Sequence, residues 1–424
     1  MDKILNWIDD RFPLTALWES QWGKYVAPKN FNFWYYFGSL AALVLVLQIL
    51  TGIFLTMNYK PDAAKAFESV EYIMRDVNGG WIIRYMHSTG ASMFFVVVYL
   101  HMFRGLMYGS YRKPRELTWI FGCIIYLALM GEAFFGYLLP WGQMSYWGAQ
   151  VIVNLFSAVP IVGEDLGIWI RGDYTISDIT LNRFFAFHVI AVPLVLVGLV
   201  AAHLMALHET GSNNPDGIEI KKQPKDPATG LPLDGIYSHP YYSVKDIMGV
   251  VVFLAVFSVI MFFVPDMGGY FLEANNFVPA DPLKTPVHIA PVWYFTPYYA
   301  MLRAVPSLFG SQFWGVVVMG AAVMIFFALP WLDRGAVKSI RYRGPTYKAW
   351  LAAFVVSFLV LGYLGVVPVT VWGQFPENWP LVGTADCATV VSRVLTVVYF
   401  LFFLLMPWYT ARDRTKPVPE RVTG

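Results

Sequence analysis

The 424 residues are 57% hydrophobic and only 14% charged, with a formal net charge of +2. A soluble protein of this length carries nearer a quarter charged residues, so an ordinary water-soluble globular enzyme is excluded. Two cysteines, Cys123 and Cys387, offer no disulfide framework.

Apolar runs of about twenty residues are long enough to cross a hydrocarbon layer roughly 30 Å thick. Eight occur in chain order, near residues 33–57, 82–108, 117–139, 184–207, 247–264, 313–331, 349–371 and 388–409. The predicted fold is all-α: a polytopic membrane protein of eight transmembrane helices. It divides into an N-terminal four-helix bundle at 1–210 and a C-terminal four-helix region at 211–424. The segment before the first run is mixed in charge and aromatic, without the apolar stretch and small-residue cleavage site of a signal peptide.

Basic residues set the expected orientation. Both termini and the connections after the second, fourth and sixth runs hold 21 of the 30 Lys and Arg, so that side is expected to be cytoplasmic, the negative side of the membrane. The opposite, positive side receives the long connections 140–183 and 265–312. Connections of that length are usually functional or carry short helices of their own.

The second run contains His87 and His101, and the fourth contains His188 and His203. Fourteen residues make about 21 Å of helix and nearly four turns, so His87 and His101 share a face. The two runs point the same way through the membrane, with one run between them. His87 is therefore expected opposite His188 near the positive side, and His101 opposite His203 deeper. A lone membrane histidine is as readily a hydrogen-bonded core residue as a functional one, because ionisable groups there are costly. Four at matching depths point to metal ligation, and two imidazoles across a bundle are the axial set of a low-spin haem.

Glycines repeat the interval. Gly38 and Gly52 in the first run, and Gly122 and Gly136 in the third, are again fourteen apart. A flat macrocycle against a helix needs positions without side chains; the competing explanation is close helix packing, for which small residues are common in membranes. Arg84 and Arg104 flank the first histidine pair at opposite depths. They are candidates for haem propionates, or else anchors at the two membrane faces.

These residues, with WIIRYMH, HMFRG, GYLLPWGQMSYWGA, RFFAFH, LHETGSNNP, HPYYSVKD and PVWYFTPYYAMLRAVP, resemble cytochrome b of the quinol:cytochrome c oxidoreductase complex over nearly the whole chain. The presence of both halves resembles the fused form, not the split form with a small partner subunit. The resemblance implies two non-covalent b haems with bis-histidine ligation, low-potential at His87/His188 and high-potential at His101/His203. It implies ubiquinol oxidation near the positive side at Gly148, Tyr137, the tetrad Pro291, Val292, Trp293 and Tyr294, and Tyr299. Ubiquinone reduction near the negative side is implied at His208, Ser212, Lys245 and Asp246. There a histidine and an aspartate at a membrane edge can deliver protons. The implied partners are a Rieske iron–sulfur protein, cytochrome c1, membrane lipid and a second copy of the complex, in a bacterial inner membrane. No nucleic acid is expected.

Three departures from the family pattern carry expectations of their own. The tetrad is usually Pro-Glu-Trp-Tyr, and Val292 cannot carry a proton. Glu132, in the third run four residues before Gly136, is expected either to take that glutamate's place or to serve as a structural carboxylate on a neighbouring helix. The second histidine interval is fifteen, not fourteen, which predicts a kink or π-bulge within about a turn of Pro193. Before Gly38 the chain reads WYYF where WWNF is common, which removes one polar quinone contact. Two other readings compete. A secondary transporter leaves the histidine–glycine lattice without a role. A b-haem anchor subunit of a dehydrogenase leaves the PVWY segment and the last four helices unexplained.

Overall fold

The computed structural model describes residues 2–307, 311–375 and 386–423. Among them are eight helices long and apolar enough to cross a membrane, one over each expected run. Spans 1 to 4 are Phe33–Thr56, Gly80–Tyr108, Glu116–Leu138 and Asp178–Thr210; spans 5 to 8 are Tyr241–Phe263, Phe313–Leu332, Pro345–Val366 and Cys387–Leu404.

The ends follow local chemistry. Span 4 begins six residues earlier than its apolar run because polar groups start it: Thr180 Oγ1 accepts from the Ser177 backbone N–H at 3.1 Å, and Asp178 sits in the first turn. Span 7 opens on Pro345, whose missing N–H costs nothing at the first helical position. It stops at Val366 rather than 371, because Pro368 cannot continue it.

Span 1 packs on span 2, and span 3 on span 4. Span 5 lies against spans 1 and 2, while spans 7 and 8 pack together around a short buried helix, Thr296–Ala304. One continuous cluster of buried side chains runs from Phe37 in span 1 to Tyr409 beyond span 8, so both halves share a core. Large apolar residues left exposed along the spans, such as Leu50, Leu194 and Val251, give the outer faces a surface that lipid tails suit.

The two long connections, 140–183 and 265–312, carry their own helices, as their length predicts: Gln143–Ser157 and Gly163–Arg171 in the first, Thr296–Ala304 in the second. At the other end the structure adds a feature absent from the all-helical expectation. Strand β1 (Val26–Pro28) pairs antiparallel with β2 (Gly235–Tyr237), joining the segment before span 1 to the connection before span 5. Buried ion pairs tie further connections together there. Arg115 grips Glu219 with two nitrogens at 2.7 and 2.9 Å, and Arg343 pairs with Asp333, which also accepts from Tyr111 Oη at 2.6 Å.

Candidate functional site

The four histidines meet as their spacing requires. The His87 and His188 rings lie 6.0 Å apart between centroids, and those of His101 and His203 lie 6.4 Å apart. A metal held by a ring nitrogen at ~2 Å sits about 3 Å from that ring's centre, so either pair can share one ion between them. The fifteen-residue interval is absorbed where it starts. Residues Phe187–Ala191 form a π turn that contains His188 and ends two residues before Pro193. A π turn holds one extra residue, so His188 and His203 share a face as His87 and His101 do.

Each histidine is backed by a different one of the four glycines. A β-carbon on Gly38 would stand 3.2 Å from the His101 ring, one on Gly52 3.4 Å from His87, and one on Gly122 3.5 Å from His203; one on Gly136 would overlap the His188 ring. These are cradles that a side chain would fill, which fits a flat group lying between the rings. At His87 and His188 hydrogen-bond partners take Nδ1 and so leave Nε2 as the nitrogen available to a metal. Thr51 Oγ1 is 2.9 Å from His87 Nδ1, and the Glu132 backbone carbonyl is 2.9 Å from His188 Nδ1.

The Glu132 carboxyl also turns to His188, with Oε1 3.0 Å from Nδ1. The reason is helical: Glu132 and Gly136 are four apart and share the face that meets span 4. Of its two expectations, this geometry is that of the structural carboxylate on a neighbouring helix.

Arg104 is partly buried; its guanidinium lies 4.8 Å from the Tyr35 ring centroid, one terminal nitrogen reaches Ser110 Oγ at 3.4 Å, and Nε is buried without a partner. An orphaned guanidinium donor beside His101 fits an anionic group that is held there. Arg84 instead borders a cavity of about 310 Å³ together with Arg75, Glu71, Tyr85 and Phe277.

The tetrad divides by facing. Pro291 and Trp293 line a second cavity of about 210 Å³, with Met144, Tyr270, Glu273 and His288. Val292 and Tyr294 are buried in the core, Tyr294 stacked on Phe95 at 3.9 Å. The Trp293 indole donates to Ser92 Oγ at 3.1 Å. Gly148 lies against Tyr137, where a β-carbon would touch the ring at 3.5 Å. Tyr137 Oη in turn donates to Glu273 Oε2 at 2.8 Å. Tyr299 stands apart from this cavity, its ring beneath the Arg303 guanidinium at 4.8 Å.

Sequence reasoning missed Glu273. It lies in YFLEANNF, a connection without periodicity, and nothing in its spacing ties it to Pro291 or Tyr137. The available signal was chemical: a lone acid within an otherwise mostly apolar stretch of a long connection.

The residues expected to reduce quinone fall into two groups. His208 stacks on Tyr25 at 4.3 Å, with Nδ1 2.6 Å from Gln21 Oε1, and Tyr25 Oη lies 3.0 Å from Ser212 Oγ. Asp246 accepts from Ser39 Oγ at 3.1 Å, and Lys245 donates to Tyr241 Oη at 2.6 Å. Ser39 adjoins Gly38, so span 1 lies between the Asp246 carboxylate and the His101 ring.

Comparison with known proteins agrees along the whole chain. The family model for cytochrome b/b6/petB matches residues 22–211, and that for cytochrome b(C-terminal)/b6/petD matches residues 279–379. Cytochrome b of Allochromatium vinosum is 64% identical over 99% of this chain and 98% of its own length; that of Rhodospirillum rubrum is 45% identical over 100% and 96%. A solved chain of a hyperthermophilic respiratory Complex III superposes with a TM-score of 0.83 at 38% identity, covering 96% of this chain and 98% of that one. Neither a transporter nor a dehydrogenase anchor accounts for these matches. The chain belongs to the cytochrome b family, the membrane electron-transfer subunits of quinol:cytochrome c oxidoreductases.

Proposed function

We propose that this chain carries two b haems, one between His87 and His188 near the positive side and one between His101 and His203 deeper. They connect a ubiquinol-oxidising site at the cavity of Pro291 and Trp293 to a ubiquinone-reducing site near His208 and Asp246. One observation carries the reading: two facing histidine pairs, every ring backed by a glycine of span 1 or span 3. Haem held by these histidines would supply a one-electron carrier.

The chain's own residues do the positioning. Thr51 fixes the His87 ring, and Glu132, through its carbonyl and carboxyl, fixes the His188 ring. Arg104, with its unpaired Nε, suits a propionate of the deeper haem, and Arg84 suits one near the positive side. At the oxidation site Tyr137, packed against Gly148, reaches the cavity through its hydrogen bond to Glu273, and Tyr299 braces the helix that follows the tetrad. At the reduction site Asp246 and His208 hold protons for the reduced ring, with Ser212 and Lys245 at its polar edge.

Within this reading, residues 1–210 form the haem bundle and 211–424 supply the tetrad, a division supported by the two family models. A Rieske iron–sulfur protein takes one electron at the positive side and passes it to cytochrome c1, in a homodimeric complex of a bacterial inner membrane with both chain termini cytoplasmic. The excess of Lys and Arg on the side of the termini supports that orientation.

Single substitutions test the pairing. His203→Leu removes the haem held with His101 and spares much of the other, and His188→Leu does the reverse, read in the reduced-minus-oxidised spectrum. Two intact haem signals in both variants would refute it.

A further inference from the structure

We propose that Glu273 is the proton acceptor for quinol at the PVWY cavity, the part that neither Val292 nor Glu132 plays. The inference rests on the reading of that cavity as the quinol-oxidising site and deepens it. Three observations carry it. Val292 is aliphatic and buried in the core, so the tetrad itself holds no acid. Glu132 is engaged with His188 and is not among the residues lining the cavity. Glu273 does line it, beside Pro291 and Trp293, and is held there by Tyr137.

The arrangement leaves the acid free to work. The Tyr137 hydroxyl occupies Oε2 at 2.8 Å, which leaves Oε1 for a quinol hydroxyl. The ionisable groups facing the carboxyl are Tyr137 from span 3, Tyr294 from the tetrad, and His288 and Tyr270 along the cavity wall; no Lys or Arg lines the cavity. Without a cation to hold the charge, burial raises the Glu273 pKa to about 7, against the opposing pull of the Tyr137 hydrogen bond. A base of that strength can take a proton and give it up near neutral pH. Its chain neighbours Ala274 and Asn275 are exposed, so the exit to positive-side water is short.

One quinol O–H bond breaks and an O–H bond forms on Glu273 Oε1. The second quinol proton leaves with the electron taken by the iron–sulfur acceptor. The other electron leaves by the haem path, and quinone remains. Glu273 then releases its proton to water and regains its charge.

The sign of the pH dependence follows. The acid is raised above its ordinary value, so below about pH 7 it is protonated and cannot accept. Quinol oxidation therefore climbs as pH rises to about 7 and levels off above it.

The test uses the purified complex, with quinol-driven cytochrome c reduction followed from about pH 5.5 to 9 and the haem spectrum recorded alongside. Glu273→Gln should slow turnover at pH 7 about tenfold or more, within the range general bases contribute. It should also lose the climb toward pH 7 and keep both haem signals. Glu273→Asp should keep the climb, and Val292→Glu added to Glu273→Gln should recover part of the rate. A Glu273→Gln enzyme with the parent rate and pH profile overturns the proposal. So does a Glu273→Asp enzyme that has lost the climb. Trp293→Ala separates the two levels of inference. If it too oxidises quinol at the parent rate, the cavity itself is misassigned. If it is impaired while Glu273→Gln is not, only the role of Glu273 falls.

Discussion

Gly136→Ala tests the cradle most sharply. The added methyl would overlap the His188 imidazole, whereas the same methyl on Gly122 would stand 3.5 Å from His203, an ordinary contact. On Gly198, in span 4, it would meet nothing within 4 Å. Forcing a methyl group into a filled interior costs about 1–3 kcal/mol, which is roughly a 5- to 150-fold weaker hold on the haem that the displaced ring ligates. Each variant would be purified in detergent, its haem counted from the dithionite-reduced spectrum, and its retention followed over a dilution series. Gly136→Ala should lose the haem of the His87/His188 pair and largely keep the other. Gly122→Ala should lose little, and Gly198→Ala nothing. Equal losses in all three, or full retention of both haems in Gly136→Ala, would refute the cradle argument.

Two further outcomes follow from buried polar contacts. Glu132→Gln removes the carboxylate 3.0 Å from His188, the proposed haem ligand, so the midpoint potential of that haem alone should rise by tens of mV, where about 59 mV is tenfold for one electron; a redox titration with no shift contradicts this. Arg343→Ala leaves the buried Asp333 carboxylate only Tyr111, the Gly335 N–H and the more distant Arg112, and breaking a buried pair costs up to about 3–5 kcal/mol. Its melting temperature, followed by loss of the haem spectrum, should fall by several degrees, and an unchanged melting temperature would show the pair to be dispensable.

The sequence makes legible whatever depends on periodicity. Eight apolar runs become eight spans because a membrane leaves the backbone few ways to satisfy its hydrogen bonds. The pairing of His87 with His188 and of His101 with His203 follows from counting residues along parallel helices, and so does the π turn at Phe187–Ala191 that takes up the fifteenth residue. Which glycine backs which histidine depends on how the helices dock, and only the folded chain shows it. Glu132 illustrates the limit of helix counting. Its depth was readable, but the direction of its carboxyl is set by the neighbouring span. Glu273 lay beyond that limit altogether. It reaches the tetrad through an irregular connection, where no period relates position in the chain to position in space. The strand pair before spans 1 and 5 was missed for a similar reason: three residues a side leave too little alternation to register.

The most direct measurement is the haem count of the purified chain, by pyridine haemochrome assay, combined with a redox titration. Two b haems per chain, titrating as two one-electron components at separate potentials, are predicted. A single component, or none, would contradict the account at its centre.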